Sequence, residues 1–382
     1  MTATTTETTV INHFINGAET AGEGDRTTNV YNPATGQVSA ELRLANRADL
    51  ETTVAAARKA ADIWGDISLA KRTAVLFKFR ELVAAHVDDL AALITAEHGK
   101  VLSDAKGEIG RGLEVIEYAC GIPTLLKGDY SDQVSTGIDV FNFREPLGVV
   151  AGITPFNFPV MVPLWMAPMA IATGNAFILK PSERDPSPSL LLARLWKEAG
   201  LPDGVFQVLH GDKETVDGLL THPDVDGISF VGSTPIAQYV HETATKHGKR
   251  VQALGGAKNH AIVLPDADLD NAADHLAAAA FGSAGERCMA ISVAVAVGDA
   301  ADLIVKKVEE RALAVKVNNG TAPDAEMGPV ITPAPRSASS GSSPKPKPPA
   351  RPWSWTAATS WSPATKMASG WAPPSSTTSK PK

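Results

Sequence analysis

Residues 148–153 read Gly-Val-Val-Ala-Gly-Ile, a short apolar run that ends in the polar turn Thr-Pro-Phe-Asn-Phe-Pro at residues 154–159. Similar apolar runs recur at residues 176–179, 205–209 and 227–231, and the segments between them have a helical pattern. Alternating short strands and longer helices are typical of βαβ units on a mostly parallel sheet. The sequence therefore predicts an α/β fold, with candidate binding residues just after each run, because such sheets bind ligands at the carboxyl ends of their strands.

Upstream of this region the pattern predicts both strands and helices. Residues 11–15 and 36–44 indicate short strands bounded by turns. Residues 69–97 carry apolar side chains at three- and four-residue steps, which predicts a helical stretch, and residues 104–119 predict a second helix. Residues 138–144 alternate between apolar and polar side chains, which favours a half-exposed strand or hairpin arm.

The composition separates the chain into two parts. Its 382 residues include 35 basic and 42 acidic side chains, for a formal net charge of −7. All 42 acidic residues precede residue 333, whereas 7 basic residues, 11 of the 27 prolines and 4 of the 7 tryptophans follow Thr332. Val, Ile, Leu and Phe are absent after Thr332, so that segment cannot bury enough apolar surface to offset its ordering entropy. We expect a globular body and a disordered tail at residues 333–382.

The composition also excludes several classes of protein. Two cysteines rule out a disulfide scaffold and a cysteine zinc module, and they suit a reducing compartment. The threonine-rich N-terminus is not a secretory signal, and the uncharged stretch at residues 147–179 is broken by four prolines and three glycines. An acidic body argues against nucleic acid as a partner. These features indicate a two-domain cytoplasmic protein without a metal site or a membrane span.

The residues after the apolar runs suit a nucleotide, although each signal is weak when taken singly. No G-x-G-x-x-G fingerprint is present, so an ordinary Rossmann phosphate loop is not predicted. Gly232 and Ser233 could offer backbone N–H groups to a pyrophosphate at a helix start. Lys180 and Glu183 could grip ribose hydroxyls. The alternatives, a turn glycine and a solvated ion pair, stay open on these residues alone.

Four segments taken together make the assignment specific. Besides residues 154–159 they are Lys-Pro-Ser-Glu at 180–183, Phe-Val-Gly-Ser-Thr at 230–234 and Gly-Glu-Arg-Cys-Met-Ala at 285–290. In this order they resemble the aldehyde dehydrogenase superfamily across residues 10–332. Within it the chain is most similar to the CoA-acylating methylmalonate-semialdehyde dehydrogenases, through residues 155–163, Gly-Ala-Lys-Asn-His at 256–260, and residues 286–290.

The resemblance implies a domain organisation. An aldehyde dehydrogenase fold would place a Rossmann-like NAD-binding domain at residues 1–254 and an incomplete α/β catalytic domain at residues 255–332. A strand arm near residues 129–147 is used by relatives to form homo-oligomers. The tail at residues 333–382 does not resemble the family.

The resemblance also implies roles for individual residues. Cys288 would be the nucleophile that attacks the aldehyde carbon, and Asn157 would donate its amide to the developing oxyanion. Cys120, on an apolar helical stripe, is expected to be inert. Arg111 and Arg287 match the positions that recognise a substrate carboxylate, the alternative being surface ion pairs. Cofactor contacts would come from Lys180 and Glu183 to the ribose, from Ser233 to the pyrophosphate, and from Thr154, Phe156 and Arg184.

One departure from the superfamily bears on the reaction. Hydrolytic members carry Glu-Leu-Gly-Gly-Lys, whose Glu activates water, whereas residues 253–258 read Ala-Leu-Gly-Gly-Ala-Lys. Without that general base, coenzyme A can accept the acyl group instead. The implied reaction is NAD- and CoA-dependent oxidation of methylmalonate or malonate semialdehyde to propionyl-CoA or acetyl-CoA with loss of CO2, as in valine or inositol catabolism. A hydrolytic aldehyde dehydrogenase and a catalytically dead fragment that binds NAD or partners are the alternatives.

The resemblance ends at about Thr332, where relatives continue with the rest of the catalytic domain and an oligomerisation strand. We interpret residues 334–382 as an out-of-frame translation, because acids and aliphatics vanish together. The alternative is a Pro/Ser-rich basic linker that binds a partner. On either interpretation we expect exposed apolar surface and little or no dehydrogenase activity.

Overall fold

A computed structural model of the chain describes residues 9–332. The predicted tail lies outside the described residues. The described chain divides into two compact units. The first comprises residues 9–31, 38–93 and 106–255, and the second comprises residues 32–37, 94–105 and 256–332.

Fourteen strands and eleven α-helices are formed by residues 9–332. The strands are β1 Thr9–Ile11, β2 His13–Ile15, β3 Ala18–Thr20, β4 Thr27–Asn32, β5 Gln37–Arg43, β6 Tyr130–Ser135, β7 Ile138–Phe141, β8 Val149–Ile153, β9 Ala176–Lys180, β10 Phe206–Val208, β11 Gly227–Val231, β12 Arg250–Leu254, β13 Asn259–Val263 and β14 Ile291–Ala296. The helices are α1 Arg47–Gly65, α2 Leu69–Ala85, α3 Val87–His98, α4 Leu102–Cys120, α5 Ile122–Leu125, α6 Met161–Ala172, α7 Ser187–Glu198, α8 Lys213–Thr221, α9 Thr234–Lys246, α10 Leu269–Phe281 and α11 Ala300–Ala314.

The first unit is built on a seven-stranded sheet of order β12-β11-β8-β9-β10-β2-β3. Strands β12 to β10 in this order run parallel, and β2 and β3 are antiparallel additions. Val54 and Ala57 of α1 belong to the same buried cluster as Ala151 and Ile178 of the sheet. Each fully buried aliphatic side chain of the size of Val or Ile contributes about 1.5–3 kcal/mol. The predicted α/β fold is confirmed, and the carboxyl ends of β11, β8 and β9 lie side by side.

The helices before this sheet differ from the prediction in two places. Helix α1 was not predicted, although Asn46 and Asp49 form a reciprocal capping box at its start. The helical stretch expected at residues 69–97 is two helices, because the chain leaves helical geometry at His86. Helix α4 forms as predicted, with Arg111 on its exposed face.

Strands β6 and β7 form the arm expected near residues 129–147. They pair as an antiparallel hairpin, and every residue of both strands is exposed. Phe141 of β7 and Phe143, two residues after that strand, are large apolar side chains that are also exposed. The hairpin was predicted to be half-exposed from residues 138–144, and it is fully exposed. Its use in oligomerisation stays a prediction.

The second unit contains a parallel pair of strands, β13 and β14. Val263 and Ala296 of this pair pack with Ala273 and Leu276 of α10 and Ile304 of α11 in one apolar cluster. On the other face Ile262 is 68% exposed, and Leu264, just after β13, is 53% exposed. Parallel strands are normally covered on both faces. Within residues 9–332 this pair therefore has one covered face and one open apolar face, which we call the open face of β13 and β14.

None of the helices within residues 9–332 is both long enough and apolar enough to cross a bilayer.

Candidate active site

The end of β8 carries a buried hydroxyl. The backbone N–H of Thr154 donates to the carbonyl oxygen of Lys180 at 3.1 Å, which joins the ends of β8 and β9. Thr154 is only 5% exposed, and its Oγ1 has no hydrogen-bond partner among the described residues. Buried polar groups are normally hydrogen-bonded, so an unpartnered hydroxyl beside a strand end indicates a place for a ligand.

The end of β9 carries a buried ammonium. The Nζ of Lys180 lies 3.2 Å from Oε2 of Glu183, and the Lys180 side chain is 7% exposed. Burial alone would raise the pKa of Glu183, but the Lys180 charge outweighs it together with hydrogen bonds, so the pKa of Glu183 is lowered. The lysine of this pair is buried, whereas the Glu183 side chain is 43% exposed.

Two of the predicted cofactor contacts stack on each other. The guanidinium carbon of Arg184 lies 4.8 Å from the centroid of the Phe156 ring, which is a cation–π distance. The backbone N–H of Arg184 donates to Oγ of Ser182 at 3.0 Å. The segments that follow β8 and β9 therefore meet through side chains as well as through backbone.

Ser233 lies between β11 and α9. It is the N-cap residue of α9, and its side chain makes no capping hydrogen bond. The first turn of a helix favours an anion, as predicted for a pyrophosphate. Gly232 has no room for a side chain, because a Cβ there would lie 2.4 Å from the Phe230 ring.

Arg111 lies beside the segment that contains Asn157. Asn157 is half-buried in the turn after β8. The Nε of Arg111 donates to Sδ of Met161 at 3.3 Å, and its guanidinium lies 5.8 Å from the centroid of the Phe158 ring. The structure thus brings Arg111 to the residue that follows Asn157 along the chain.

The two cysteines have different surroundings. Cys120 is buried at the end of α4, and burial, followed by the charge of Glu117, raises the pKa of its thiol. Cys288 is half-buried in a loop of the second unit, between α10 and β14. A buried thiol with a raised pKa is a poor nucleophile, which agrees with the inert role expected for Cys120.

The backbone before Cys288 has an unusual conformation. Ser283 and Ala284 have φ values of 52° and 53°, although neither is glycine. A residue with a side chain is disfavoured in this left-handed region by roughly 1–2 kcal/mol. Consecutive residues of this kind persist only where the surrounding structure holds them, and they are found preferentially at functional sites.

Arg287 is ion-paired in this structure. Its Nη2 lies 2.6 Å from Oδ2 of Asp104, and the two side chains are 24% and 25% exposed. The guanidinium lies against Gly282, where a Cβ would be 2.6 Å from it. The structure therefore shows the ion pair named as the alternative for Arg287, and recognition of a substrate carboxylate stays a prediction. No local sequence signal links Asp104 to Arg287, because they are distant in the chain.

A second residue that the sequence did not indicate as part of the site contacts the Cys288 loop. Asn259, the first residue of β13, donates its side-chain amide to the carbonyl oxygens of Cys288 and Ala290. Asn259 belongs to the segment that supported the subfamily assignment, but nothing in that pattern indicates its partner.

The predicted site residues fall into the two units. Cys288 and Arg287 lie in the second unit, and all the other candidates lie in the first, most of them at the carboxyl ends of β8, β9 and β11. Within residues 9–332 no group of three His, Cys, Asp or Glu side chains is placed to hold a metal ion.

A parallel sheet with a buried lysine at its carboxyl edge, in a chain whose second unit carries Cys288, is what an aldehyde dehydrogenase type of protein is expected to have. The comparison with known families agrees. The aldehyde dehydrogenase family model matches residues 20–340, and the chain belongs to that family. The predicted family and its fold are confirmed.

Several relatives are similar over most of this chain. A malonate-semialdehyde dehydrogenase of Pseudomonas aeruginosa is 55% identical over 325 residues, which cover 85% of this chain and 65% of the relative. Malonate-semialdehyde dehydrogenase 3 of Geobacillus kaustophilus is 52% identical over 326 residues, covering 85% and 67% of the two chains. This chain thus spans about two thirds of the length of the curated relatives that it matches.

Solved structures of semialdehyde dehydrogenases are also similar over most of this chain. The methylmalonate-semialdehyde dehydrogenase of Oceanimonas doudoroffii is 55% identical with a TM-score of 0.85, over 87% of this chain and 68% of that one. A Sinorhizobium meliloti protein assigned as a methylmalonate-semialdehyde dehydrogenase, solved in complex with NAD, is 49% identical with a TM-score of 0.86. That comparison covers 88% of this chain and 70% of the other.

Proposed function

We propose that this chain is a semialdehyde dehydrogenase that uses NAD and coenzyme A. Its substrate would be methylmalonate or malonate semialdehyde, converted with loss of CO2 to propionyl-CoA or acetyl-CoA. The observation that carries the proposal is the half-buried Cys288, whose carbonyl oxygen accepts a hydrogen bond from Asn259 of β13. The sequence adds that residues 253–258 contain no acid. The names of the similar proteins support the semialdehyde as the substrate class.

The residues at the strand ends fit a dinucleotide. The unpartnered hydroxyl of Thr154, the buried ammonium of Lys180 and the start of α9 at Ser233 offer two donors and an anion site. Lys180 and Glu183 would bind ribose hydroxyls, and Ser233 the pyrophosphate. Bound NAD would supply the hydride acceptor. The NAD complex of the similar Sinorhizobium protein supports this choice of cofactor.

Cys288 would perform the covalent chemistry. Its thiolate adds to the aldehyde carbon and forms a hemithioacetal, and loss of hydride from that carbon leaves a thioester on the sulfur. The amide of Asn157 would stabilise the negative oxygen that develops during the addition. Arg111 would bind the substrate carboxylate.

The acyl group of the thioester then has two possible acceptors, coenzyme A and water. The sequence favours the thiol of coenzyme A over water. Residues 253–258 contain no Asp or Glu to act as the general base for hydrolysis. The thiolate of coenzyme A attacks the thioester carbonyl and displaces the Cys288 thiolate. The carboxylate lies two carbons from the former aldehyde carbon, so its C–C bond can break to give CO2 while the carbonyl oxygen accepts the electron pair. The resulting enolate then takes a proton from water at the carbon that lost CO2, which gives the propionyl or acetyl group.

The test is product analysis with the full chain. We expect acyl-CoA, identified by mass spectrometry, only when semialdehyde, NAD and coenzyme A are all present, and none from Cys288→Ser. We expect slow turnover, because the open face of β13 and β14 leaves the thiol-bearing unit poorly supported. Free acid formed without coenzyme A would select hydrolysis, and NAD binding without any product would select a dead fragment.

A further inference from the structure

Asn259 lies at the start of β13 with its side chain half-buried. Its Nδ2 is 2.9 Å from the carbonyl oxygen of Cys288 and 3.0 Å from that of Ala290. A carboxamide nitrogen carries two hydrogens, so these two bonds use its full donor capacity. A single side chain thus holds the backbone on both sides of Met289.

The pairing of the strands explains why a side chain is needed there. Asn259 pairs with Ile291, but His260 pairs with Val293, so the register shifts by one residue at this point. Such a bulge interrupts the regular ladder of backbone hydrogen bonds. The carbonyl groups of Cys288 and Ala290 precede β14, and the amide of Asn259 supplies donors where the ladder does not.

Besides Asn259, the ion pair between Arg287 and Asp104 also holds this loop. The backbone N–H of Ala290 donates to the carbonyl oxygen of Arg287 at 3.2 Å, which closes a tight turn around Cys288. Met289 within that turn is 55% exposed. The turn itself is local, and Asn259 is a side chain that joins it to β13.

We propose that Asn259 is a positioning residue that fixes the backbone of the Cys288 loop. The inference rests on the proposed function, in which Cys288 is the nucleophile. A nucleophile must be held in one orientation relative to the carbon that it attacks. Asn is suited to the task because Ser has one hydrogen to donate, and ionised Asp has none.

The test compares Asn259→Ala and Asn259→Asp with the unchanged protein by two measurements that need no turnover. Hydrogen exchange of the peptide covering residues 286–292 is expected to be about tenfold faster or more in both variants. Alkylation of Cys288 by iodoacetamide is expected to be about threefold faster or more, because the half-buried thiol becomes accessible. Buried Cys120 in the same samples is the internal reference.

Two further variants separate positioning from general destabilisation. Asn259→Gln keeps both hydrogens and is expected to recover at least about half of the protection. Asn271→Ala, at an exposed position of α10, is expected to change neither measurement.

The proposal is overturned if Asn259→Ala and Asn259→Asp behave like the unchanged protein, or if Asn259→Gln is as unprotected as Asn259→Ala. If the Ala and Asp variants lose their helical circular dichroism, the comparison of Asn259→Gln with the unchanged protein decides. Because neither measurement uses NAD, semialdehyde or coenzyme A, failure of the proposed function leaves this result readable.

Discussion

Lys180 shows how one side chain can serve both the fold and a binding site. It is the last residue of β9, with its stem inside the protein and its ammonium 3.2 Å from Glu183. A buried charge is costly unless it is paired, so Glu183 is a structural partner as well as a candidate ribose ligand. The end of β9 determines where Lys180 and Glu183 lie relative to the sheet.

We predict that Lys180→Met weakens NAD binding by about tenfold or more, because the variant keeps the apolar stem and removes the charged donor. Fluorescence titration with NADH would measure the change. Lys197→Met is the matched control, since Lys197 is a half-exposed lysine paired with Asp203 at 3.4 Å. Equal affinity in Lys180→Met and the unchanged protein would contradict the assignment of Lys180.

The strand pair of the second unit, β13 and β14, has one covered face and one open face among the described residues. One face of β13 and β14 packs on α10 and α11, and the other presents Ile262 and Leu264. Exposed strands with apolar side chains are templates for association with other chains. The open face is therefore the surface on which we expect this protein to associate with itself or aggregate.

We predict that Ile262→Lys reduces concentration-dependent association, because a charge at the centre of the open face must be desolvated on contact. Size-exclusion chromatography with light scattering would report it as a lower average mass at high protein concentration. Ile63→Lys, at a position on α1 that is 58% exposed, serves as the control. Association that is equally reduced by both variants would point to net charge as the cause.

The strands around the site could be predicted from the sequence, and several other elements could not. The runs that became β8, β9 and β11 are short, apolar and bounded by turns, so local pattern determines them. Helix α1 was missed because its buried stripe includes the small side chains Ala57 and Ala61, which give a weak apolar signal. The break between α2 and α3 was missed because apolar side chains continue at helical steps through His86.

The positions of some site residues could likewise be predicted from the sequence, whereas the partners of others could not. Motif register placed Lys180 and Ser233 at strand ends, where the structure has them. The partners of Cys288 and Arg287 were not predictable, because Asn259 and Asp104 approach them only through tertiary folding. Local patterns specify which residues follow a strand, but they do not specify which distant side chain meets them.

At the scale of the whole molecule, two buried histidines link stability to pH. His13 on β2 and His210 have ring centroids 5.7 Å apart, and both are fully buried. Burial lowers the pKa of His13 from 6.5 to about 4, although the charge of Asp49 opposes it and that of Arg43 adds to it. Burial, His13 and Lys180 lower the pKa of His210 well below 6.5, against a backbone hydrogen bond at Asn12.

Both histidines are neutral in the folded protein, whereas in the unfolded chain they take up protons below their pKa of about 6.5. Their contribution to the free energy of unfolding is fully present above that pH and is lost as the pH falls towards 4. For His13 alone the loss is roughly 3 kcal/mol. Urea unfolding at about pH 7.5 and about pH 5 should show about 2 kcal/mol of this loss for His13, and the loss should be smaller in His13→Gln. His241→Gln, at an exposed position, should keep the full loss. An unchanged loss in His13→Gln would refute the linkage.

The two compact units are not consecutive in the chain. The second unit consists mainly of residues 256–332, but it also contains residues 32–37 and 94–105. The sequence placed the boundary between two continuous domains at residues 254 and 255. Composition and periodicity are local, so they could not indicate that early segments pack with later ones.

This interleaving has a consequence for synthesis on the ribosome. Residues 32–37 and 94–105 emerge long before residue 256, the start of the main part of their unit. At roughly 5–20 residues per second, the later of the two waits on the order of ten to thirty seconds for its partners. The second unit therefore cannot be completed until its main part has been synthesised.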